Sequence, residues 1–177
     1  AETEFGQVMN ATGVGEVIES NVDRFPIGAK VMGSLGWQRY AVMAAQKLEV
    51  ITGDAPLAAH LGPLGGTGLT AYFGLFRVGR PMPGDTVLVS GAAGATGSIV
   101  GQLAKLAGCR VVGIAGGAEK CAWLVNELGF DEAIDYKNDR VKAAIRAACP
   151  SGVNVFFDNV GGTILNDALA CIALNAR

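Results

Sequence analysis

Short apolar runs occupy the first third of the chain, up to about Asp54. They lie at residues 6–9, 13–19, 29–33 and 40–43, and glycine or proline separates them. Apolar or alternating runs of this length, broken by turn residues about every ten positions, are typical of β-strands in a small barrel or sandwich. These strands are too few to close a barrel, so the pattern predicts part of one.

The period of the apolar positions changes after Pro56. Residues 68–77 read GLTAYFGLFR and place Leu69, Tyr72, Phe73 and Phe76 at the spacing of one helical stripe. An apolar stripe of this kind marks the face that a helix turns towards a core. The segment therefore predicts an amphipathic helix.

From Pro83 onwards strands and helices alternate. The predicted strands are residues 86–89, 110–115, 133–136 and 153–157, and the predicted helices are 96–106, 118–128, a helix capped by Asn138 and ending at Cys149, and 163–174. Such alternation indicates βαβ units and therefore an α/β fold with a doubly wound parallel sheet. The chain ends after a helix, where such a sheet normally continues, so we expect a piece of a longer protein.

The amino-acid composition argues against a disordered chain and against nucleic acid or a membrane as a partner. Half of the 177 residues are hydrophobic and 17% are charged, which excludes a disordered chain. The formal net charge of −2 is unlike the basic footprint of proteins that bind nucleic acid. The uncharged stretch from residue 86 to 104 mimics a membrane span, but its glycines and serines favour a buried strand, a tight turn and a helix. We therefore expect neither nucleic acid nor a membrane as a partner.

The four cysteines do not form a metal motif. They are widely spaced, without CxxC pairs, and the single histidine, His60, is far from them in the sequence. His60 lies in an apolar helical patch and is expected to be structural. The cysteines are expected to be small buried side chains in a reducing compartment, which predicts a cytoplasmic protein without a metal site.

The most informative segment is VLVSGAAGATGSIVG, residues 87–101. A buried strand runs into Gly91, the turn carries Gly94 and Gly97, and a helix follows. The free N–H groups and positive dipole end of such a helix attract a phosphate, so we predict a pyrophosphate seat. The spacing is G-x-x-G-x-x-G instead of the usual G-x-G-x-x-G. The alternative is close helix–strand packing without a ligand.

The end of the second strand indicates which dinucleotide is bound. NAD sites usually carry an acidic residue there, for the ribose 2′-hydroxyl. Here the sequence is IAGGAEK, with Lys120 in the first turn of the next helix, where an ammonium group can meet a 2′-phosphate. This favours NADP, although Glu119 stands beside Lys120. The alternative is a solvated helix lysine.

Three longer runs carry a family resemblance: VLVSGAAGATGSIVGQLAKLAGC, GIAGGAEKCAWLVNELGFDEAIDYK and FFDNVGG. Together with GQVMNATGVGEVIES, LGWQRYAV and GLTAYFGL before them, they resemble the medium-chain dehydrogenase/reductase superfamily. The resemblance is to its zinc-free branch of prostaglandin reductases, leukotriene 12-hydroxydehydrogenases, plant alkenal double-bond reductases and bacterial curcumin reductases. It covers nearly the whole chain.

The resemblance implies a domain organisation. Residues 1–55 correspond to part of a GroES-like β-barrel of the catalytic domain, residues 56–82 to a linking helical segment, and residues 83–177 to a truncated, Rossmann-like NADP-binding domain. In the family, further segments precede and follow the part that this chain resembles. The missing segments include the tyrosine that lines the enone site, so no catalytic residue is assigned here.

The resemblance also implies the contacts to NADP(H). The residues concerned are Thr70, Gly94, Ala95, Thr96, Gly97, Lys120, Tyr136 and Asn159. Residues 94–97 match the pyrophosphate turn, while Lys120 and the Tyr136 hydroxyl match contacts to the 2′-phosphate. Asn159 matches a cofactor contact after the fourth strand, and Thr70 matches a residue near the nicotinamide.

The reaction implied by the resemblance is conjugate reduction of a small-molecule enone. NADPH delivers hydride to the β-carbon of an α,β-unsaturated ketone or aldehyde, and hydrogen bonds steady the enolate. Two alternatives stay open: a quinone oxidoreductase, and a non-catalytic NADP-binding fragment. An unpaired sheet edge after residue 174 would favour self-association, so a homo-oligomer is also expected.

Overall fold

Three antiparallel strands form the first sheet of the computed structural model, which describes residues 4–177. They are β1 (Gly13–Glu16), β2 (Lys30–Gly33) and β3 (Leu48–Val50), with β2 in the middle. Val31 on the central strand and Phe25 before it are buried. Among the described residues of this unit, these two side chains are the fully enclosed apolar ones.

Two of the predicted strands in this region are wrong. Residues 6–9 and 40–43 do not form strands, whereas Leu48–Val50, which was not predicted, does. A strand needs a partner for its backbone groups, and β3 takes the free edge of β2 with Glu49 opposite Met32. The side chain of Val42 is fully exposed, so an apolar run alone does not indicate a strand here.

The chain divides into two units between Gly66 and Thr67, inside the segment predicted to link two domains. A short 3₁₀ helix, Leu57–Leu61, precedes this point. Helix α1 (Gly66–Tyr72) spans it and continues as a π-helix, Phe73–Gly79. The helical segment ends at Arg80, whose backbone is left-handed with φ 46°.

Most of the predicted apolar stripe of this helical segment lies outside its buried face. Ala71 and Leu75 are fully buried, whereas the side chains of Tyr72 and Phe73 are half exposed. Gly74 lets one face of the segment pack closely against Phe157, because a Cβ at this position would lie 2.6 Å from the ring of that residue. The segment therefore packs Ala71, Leu75 and its glycines inward with Phe76 partly buried against the core, and leaves Tyr72 and Phe73 half exposed.

A four-stranded parallel sheet forms the second unit. Its strands are β4 (Thr86–Ser90), β5 (Arg110–Ala115), β6 (Glu132–Asp135) and β7 (Val155–Phe157). Their spatial order is β6-β5-β4-β7, and all three pairings are parallel. The chain runs outward from β4 to β6 and then returns to the other side of β4, so the direction of winding changes between β4 and β7.

Helices cover both faces of this sheet, which confirms the predicted α/β fold. They are α2 (Ala95–Leu106), α3 (Ala118–Asn126), α4 (Val141–Ala148) and α5 (Gly162–Leu169). Alternate residues of β4 point to opposite faces: Val87 and Val89 pack with α2 and α3, whereas Leu88 packs with α4 and α5. The two hydrophobic cores, one on each face, pack the sheet between two layers of helices.

The last predicted helix is too long, because α5 ends at Leu169 and not at residue 174. The chain then turns back along β7, where Ile172 pairs with Val153 in a parallel bridge. Phe156 N–H donates to the Arg177 carbonyl at 2.9 Å, and Arg177 N–H donates to the Asn154 carbonyl at 2.9 Å. These bonds cover part of the β7 edge, which the sequence predicted to be unpaired.

The predicted cap of α4 is also wrong. The helix begins at Val141 after Arg140, and no side chain makes a cap hydrogen bond there. The Asn138 side chain instead donates to Asp135 Oδ2 at 2.7 Å, across the turn that follows β6.

Candidate functional site

The glycine turn lies at the carboxyl end of β4, the central strand beside the change in winding. Gly91 has a left-handed backbone, with φ 56°. Gly94 is the N-cap residue of α2 and no side chain caps the helix, so its first-turn N–H groups keep their capacity to bind an anion. With twelve residues, α2 also has a developed dipole whose positive end is at this turn.

The four residues of the predicted pyrophosphate turn differ in exposure. Gly94 and Ala95 are exposed, Thr96 is half-buried and Gly97 is buried. A Cβ on Gly97 would lie 2.4 Å from the Gly91 carbonyl oxygen and 2.8 Å from Ala92 Cα. Gly97 therefore serves the close approach of helix to turn, while Gly94 and Ala95 lie on the open side of the turn.

The tip of β5 carries no acidic residue. It continues from the buried Ala115 into Gly116 and Gly117, and α3 begins at Ala118 with the exposed Lys120 in its first turn. Tyr136, after β6, lies directly beside this tip, because a Cβ on Gly116 would come within 2.8 Å of the Tyr136 hydroxyl oxygen. A phenol and a turn of small residues thus adjoin the helix start that carries the lysine.

Asp135 holds the β5–α3 turn in place. Its Oδ1 accepts hydrogen bonds from Gly117 N–H at 2.8 Å and Lys137 N–H at 3.1 Å, and its Oδ2 accepts from Asn138. These bonds, that from Gly117 foremost, hold the pKa of Asp135 below its ordinary value. The carboxylate is thus engaged by the protein's own donors.

The end of β7 brings Asn159 to the carboxyl end of β4. Asn159 N–H donates to Ser90 Oγ at 2.8 Å, and Asn159 Nδ2 donates to the Ser90 carbonyl at 2.8 Å. Ser90 Oγ in turn donates to Asp158 Oδ1 at 2.6 Å. Ligands of open parallel sheets bind in the crevice where the winding changes, so Asn159 lies where such a ligand is expected.

Burial and hydrogen bonds act in opposite directions on Asp158. Burial tends to raise the pKa of Asp158, but hydrogen bonds from Ser90 Oγ and from the N–H groups of Gly161 and Val160 hold it below its ordinary value. Sequence reasoning missed both Ser90 and Asp158. Both residues belong to the runs that carry the resemblance, but those runs do not show that the two side chains meet.

Thr70 is exposed in α1, on a separate element. The helical segment that carries it packs along β7, since Gly79 faces Val155 and Gly74 faces Phe157. Following the segment back towards Thr70 therefore leads to the carboxyl end of β7, where Asn159 lies. The structure thus brings the glycine turn, the β5 tip and Asn159 to one edge of the sheet, whereas the place of Thr70 in the site stays a prediction.

The sequence predicts neither a metal site nor a membrane-spanning helix. Within residues 4–177, the structure shows no group of three or more His, Cys, Asp or Glu side chains that could hold a metal ion. In that same part of the chain, none of the helices combines the length and apolar character needed to cross a membrane. The His60 Nε2 atom is buried without a hydrogen-bond partner among the described residues. The absence of a metal remains a prediction.

Two family models match the chain. Residues 95–177 match the model described as zinc-binding dehydrogenase, and residues 1–51 match the N-terminal domain of oxidoreductase. The second match includes residues 1–3, which lie outside the described part of the structure.

Curated relatives match nearly the whole chain. Prostaglandin reductase 1 of Bos taurus is 46% identical over 93% of this chain and 51% of its own length. The NADPH-dependent curcumin reductase of Escherichia coli is 42% identical over 98% and 51%, and the NADP(+)-dependent 2-alkenal reductase of Nicotiana tabacum is 40% identical over 97% and 51%. The chain therefore spans about half the length of these relatives.

A solved structure has the same fold and the same coverage. The crystal structure of CurA from Vibrio vulnificus in complex with NADPH matches with a TM-score of 0.89 and 40% identity, over 96% of this chain and 51% of that one. These findings confirm the resemblance to prostaglandin, alkenal and curcumin reductases. The chain is thus similar to the zinc-binding dehydrogenase family over residues 95–177 and to the N-terminal domain of oxidoreductase over residues 1–51.

Proposed function

We propose that this chain is the NADP(H)-binding part of an oxidoreductase that reduces the C=C bond of α,β-unsaturated ketones and aldehydes. The observation that carries the proposal is the uncapped start of α2 at the change in winding, next to a β5 tip without an acid. An NAD site would place a carboxylate at that tip. The exposed Lys120 and the Tyr136 hydroxyl are the groups that suit a 2′-phosphate.

Each end of the cofactor has its own set of residues in this proposal. The N–H groups of residues 94–97 take the pyrophosphate, and Lys120 with Tyr136 takes the 2′-phosphate. Asn159 and Thr70 take the nicotinamide side. When bound, the nicotinamide supplies the hydride for conjugate reduction. The residues of this chain bind and orient the cofactor, and none of them is assigned to the proton transfer that completes the reaction.

The enone is the better supported substrate class. The curated relatives named for prostaglandin, curcumin and 2-alkenal are 40–46% identical to this chain. A quinone oxidoreductase of Pseudomonas syringae shares the fold with a TM-score of 0.73 but is only 26% identical. Quinone reduction is therefore the second candidate. A turnover assay with both substrates also tests whether the chain binds the cofactor without catalysis.

The cysteines, the net charge and the β7 edge bear on the cellular compartment and the partners of the protein. We propose an enzyme of the cytoplasm, because all four cysteines are free thiols, as in a reducing compartment. We propose that it is zinc-free, because residues 4–177 hold no cluster of three or more His, Cys, Asp or Glu side chains. The net charge of −2 supports a small-molecule substrate over nucleic acid. Self-association has less support than the sequence suggested, since residues 172–177 run along the β7 edge.

Calorimetric titration of the 177-residue chain with NADPH and NADH tests the cofactor assignment. We expect NADPH to bind more tightly by about one to two decades, since a charge-assisted contact contributes ~1.5–3 kcal/mol. Lys120→Ala should remove most of this preference. The matched control is Lys142→Ala, which removes an exposed lysine on α4, away from the β5 tip. Equal affinity of the parent chain for the two cofactors would contradict the proposal.

NADPH oxidation at 340 nm tests the reaction, with an alkenal and a small quinone as competing substrates. Preference for the alkenal supports the enone assignment, and preference for the quinone supports the alternative. Cofactor binding without turnover of either substrate would assign this chain to binding alone.

A further inference from the structure

Ser90 and Asp158 join the two strands on either side of the change in winding. Ser90 is the last residue of β4 and is completely buried, whereas Asp158 directly follows β7. Their side chains meet with an Oγ to Oδ1 distance of 2.6 Å. Strand pairing itself ends one residue earlier, at Val89 and Phe157. The side-chain bond thus continues the connection of the strands into the crevice.

The hydrogen bonds of this pair are concentrated on two oxygen atoms. Asp158 Oδ1 accepts from Ser90 Oγ, from Val160 N–H at 3.0 Å and from Gly161 N–H at 3.0 Å. Ser90 Oγ donates to Asp158 and accepts from Asn159 N–H at 2.8 Å. A buried hydroxyl that both donates and accepts has one fixed orientation. The pair therefore fixes the path of the loop from residue 158 to 161.

The residue that this network fixes is Asn159. Its main-chain N–H and its Nδ2 both donate to Ser90, one to the hydroxyl and one to the carbonyl. Among the hydrogen bonds of residues 4–177, none engages Asn159 Oδ1. The glycine turn limits the space on the other side, because a Cβ on Gly91 would be 3.4 Å from Asn159 Cβ. Asn159 is thus held with one amide oxygen left to accept a hydrogen bond.

We propose that Ser90 and Asp158 are positioning residues that hold Asn159 in the orientation that binds the cofactor. The inference rests on the proposed function, since it names how this chain prepares one contact for NADP(H). Asn159 Oδ1 is an acceptor, so it suits a hydroxyl or an amide N–H of the ligand. Ser90 and Asp158 act through Asn159 and do not touch the cofactor themselves.

Affinity measurements on single variants test the role of the pair. We expect Asn159→Ala to raise the Kd for NADPH about three- to tenfold, the usual weight of one hydrogen bond, and Ser90→Ala and Asp158→Ala to raise it by the same factor. Asp158→Asn should restore the affinity to within about twofold, because one amide oxygen can replace Oδ1 in all three bonds. Ser151→Ala is the control, since that exposed serine precedes β7 at its other end.

A double variant separates positioning from general stability. If Ser90 acts through Asn159, adding Ser90→Ala to Asn159→Ala changes the Kd less than about twofold, whereas independent effects multiply. Titrations well below the melting temperature of each variant keep the folded fraction constant. Should Ser90→Ala not fold, the same comparison is made with Asp158→Ala, whose side chain lies in an exposed turn.

A spectroscopic readout tests the geometry without the cofactor. In the parent chain, the Asn159 side-chain amide protons should exchange slowly with solvent, and in Asp158→Ala they should exchange at the rate of a free amide. Unchanged exchange and unchanged Kd in Ser90→Ala and Asp158→Ala, with weaker binding in Asn159→Ala, would overturn the positioning role alone. A folded parent chain that binds no NADPH would overturn the proposed function and this inference with it.

Discussion

Gly97→Ala is the substitution that the geometry of the glycine turn constrains most. The added methyl group would lie 2.4 Å from the Gly91 carbonyl oxygen, 2.8 Å from Ala92 Cα and 3.0 Å from the Gly91 carbonyl carbon. All three contacts are with backbone atoms, which cannot rotate away as a flexible side chain can. The start of α2 must therefore move away from the turn.

Two opposing effects set the size of the change in stability. Overpacking of a tight site costs about 1–3 kcal/mol, and backbone neighbours favour the upper end of that range. Alanine gains about 1 kcal/mol over glycine in a helix interior. The net loss of about 2 kcal/mol should lower the melting temperature of this unit by roughly 8–16 °C, at ~4–8 °C per kcal/mol for a domain of this size.

Thermal melts and NADPH titrations of the same variant check this reasoning. We expect the Kd to rise at least about tenfold, because the displaced N–H groups no longer converge on the pyrophosphate. Gly66→Ala is the matched control at the first residue of α1, where no heavy atom lies within 4 Å of an added Cβ. A Gly97→Ala protein that melts and binds like Gly66→Ala would refute the close approach of α2 to the turn.

Two further predictions concern ionisable groups. Although burial tends to raise the pKa of Asp131, hydrogen bonds from Lys105 and Val111 N–H hold it below its ordinary value. Asp131→Asn should therefore be less stable than the parent chain in urea at pH 7, and the difference should disappear as the pH falls below about 4, because only the ionised group contributes. Burial raises the pKa of Cys149 to about 11, so iodoacetamide at pH 8 should label this thiol only after unfolding; peptide mass mapping before and after denaturation measures this.

The parallel sheet was predictable because its two central strands, β4 and β5, carry continuous apolar runs and its strands alternate with helices. All five residues of β4 are buried, and no amphipathic alternation is needed to identify a strand covered on both faces. The first sheet was harder to predict, since its strands are short and their existence depends on which segment finds a partner. Residues 40–43 have the more apolar sequence, yet Leu48–Val50 pairs with β2.

The candidate site was predictable where backbone conformation dictates the residue type. Glycines at a strand–helix turn and a lysine at a helix start are visible in one dimension, so Gly94, Gly97 and Lys120 could be proposed from the sequence. Ser90 and Asp158 could not, because their role depends on β7 returning to lie beside β4. Neither local pattern nor propensity encodes that adjacency, which arises from the winding of the whole sheet.

A map of backbone amide shifts during NADPH titration tests the central claim most directly. We predict that saturating NADPH shifts the amides of residues 94–97, 116–120 and 158–161 and that of Tyr136, while the amides of α4 stay unchanged. These segments lie at the carboxyl ends of the strands, whereas α4 packs on one face of the sheet. Saturating NADPH that leaves the glycine turn and the β5 tip unshifted would contradict the assignment of this edge as the cofactor site.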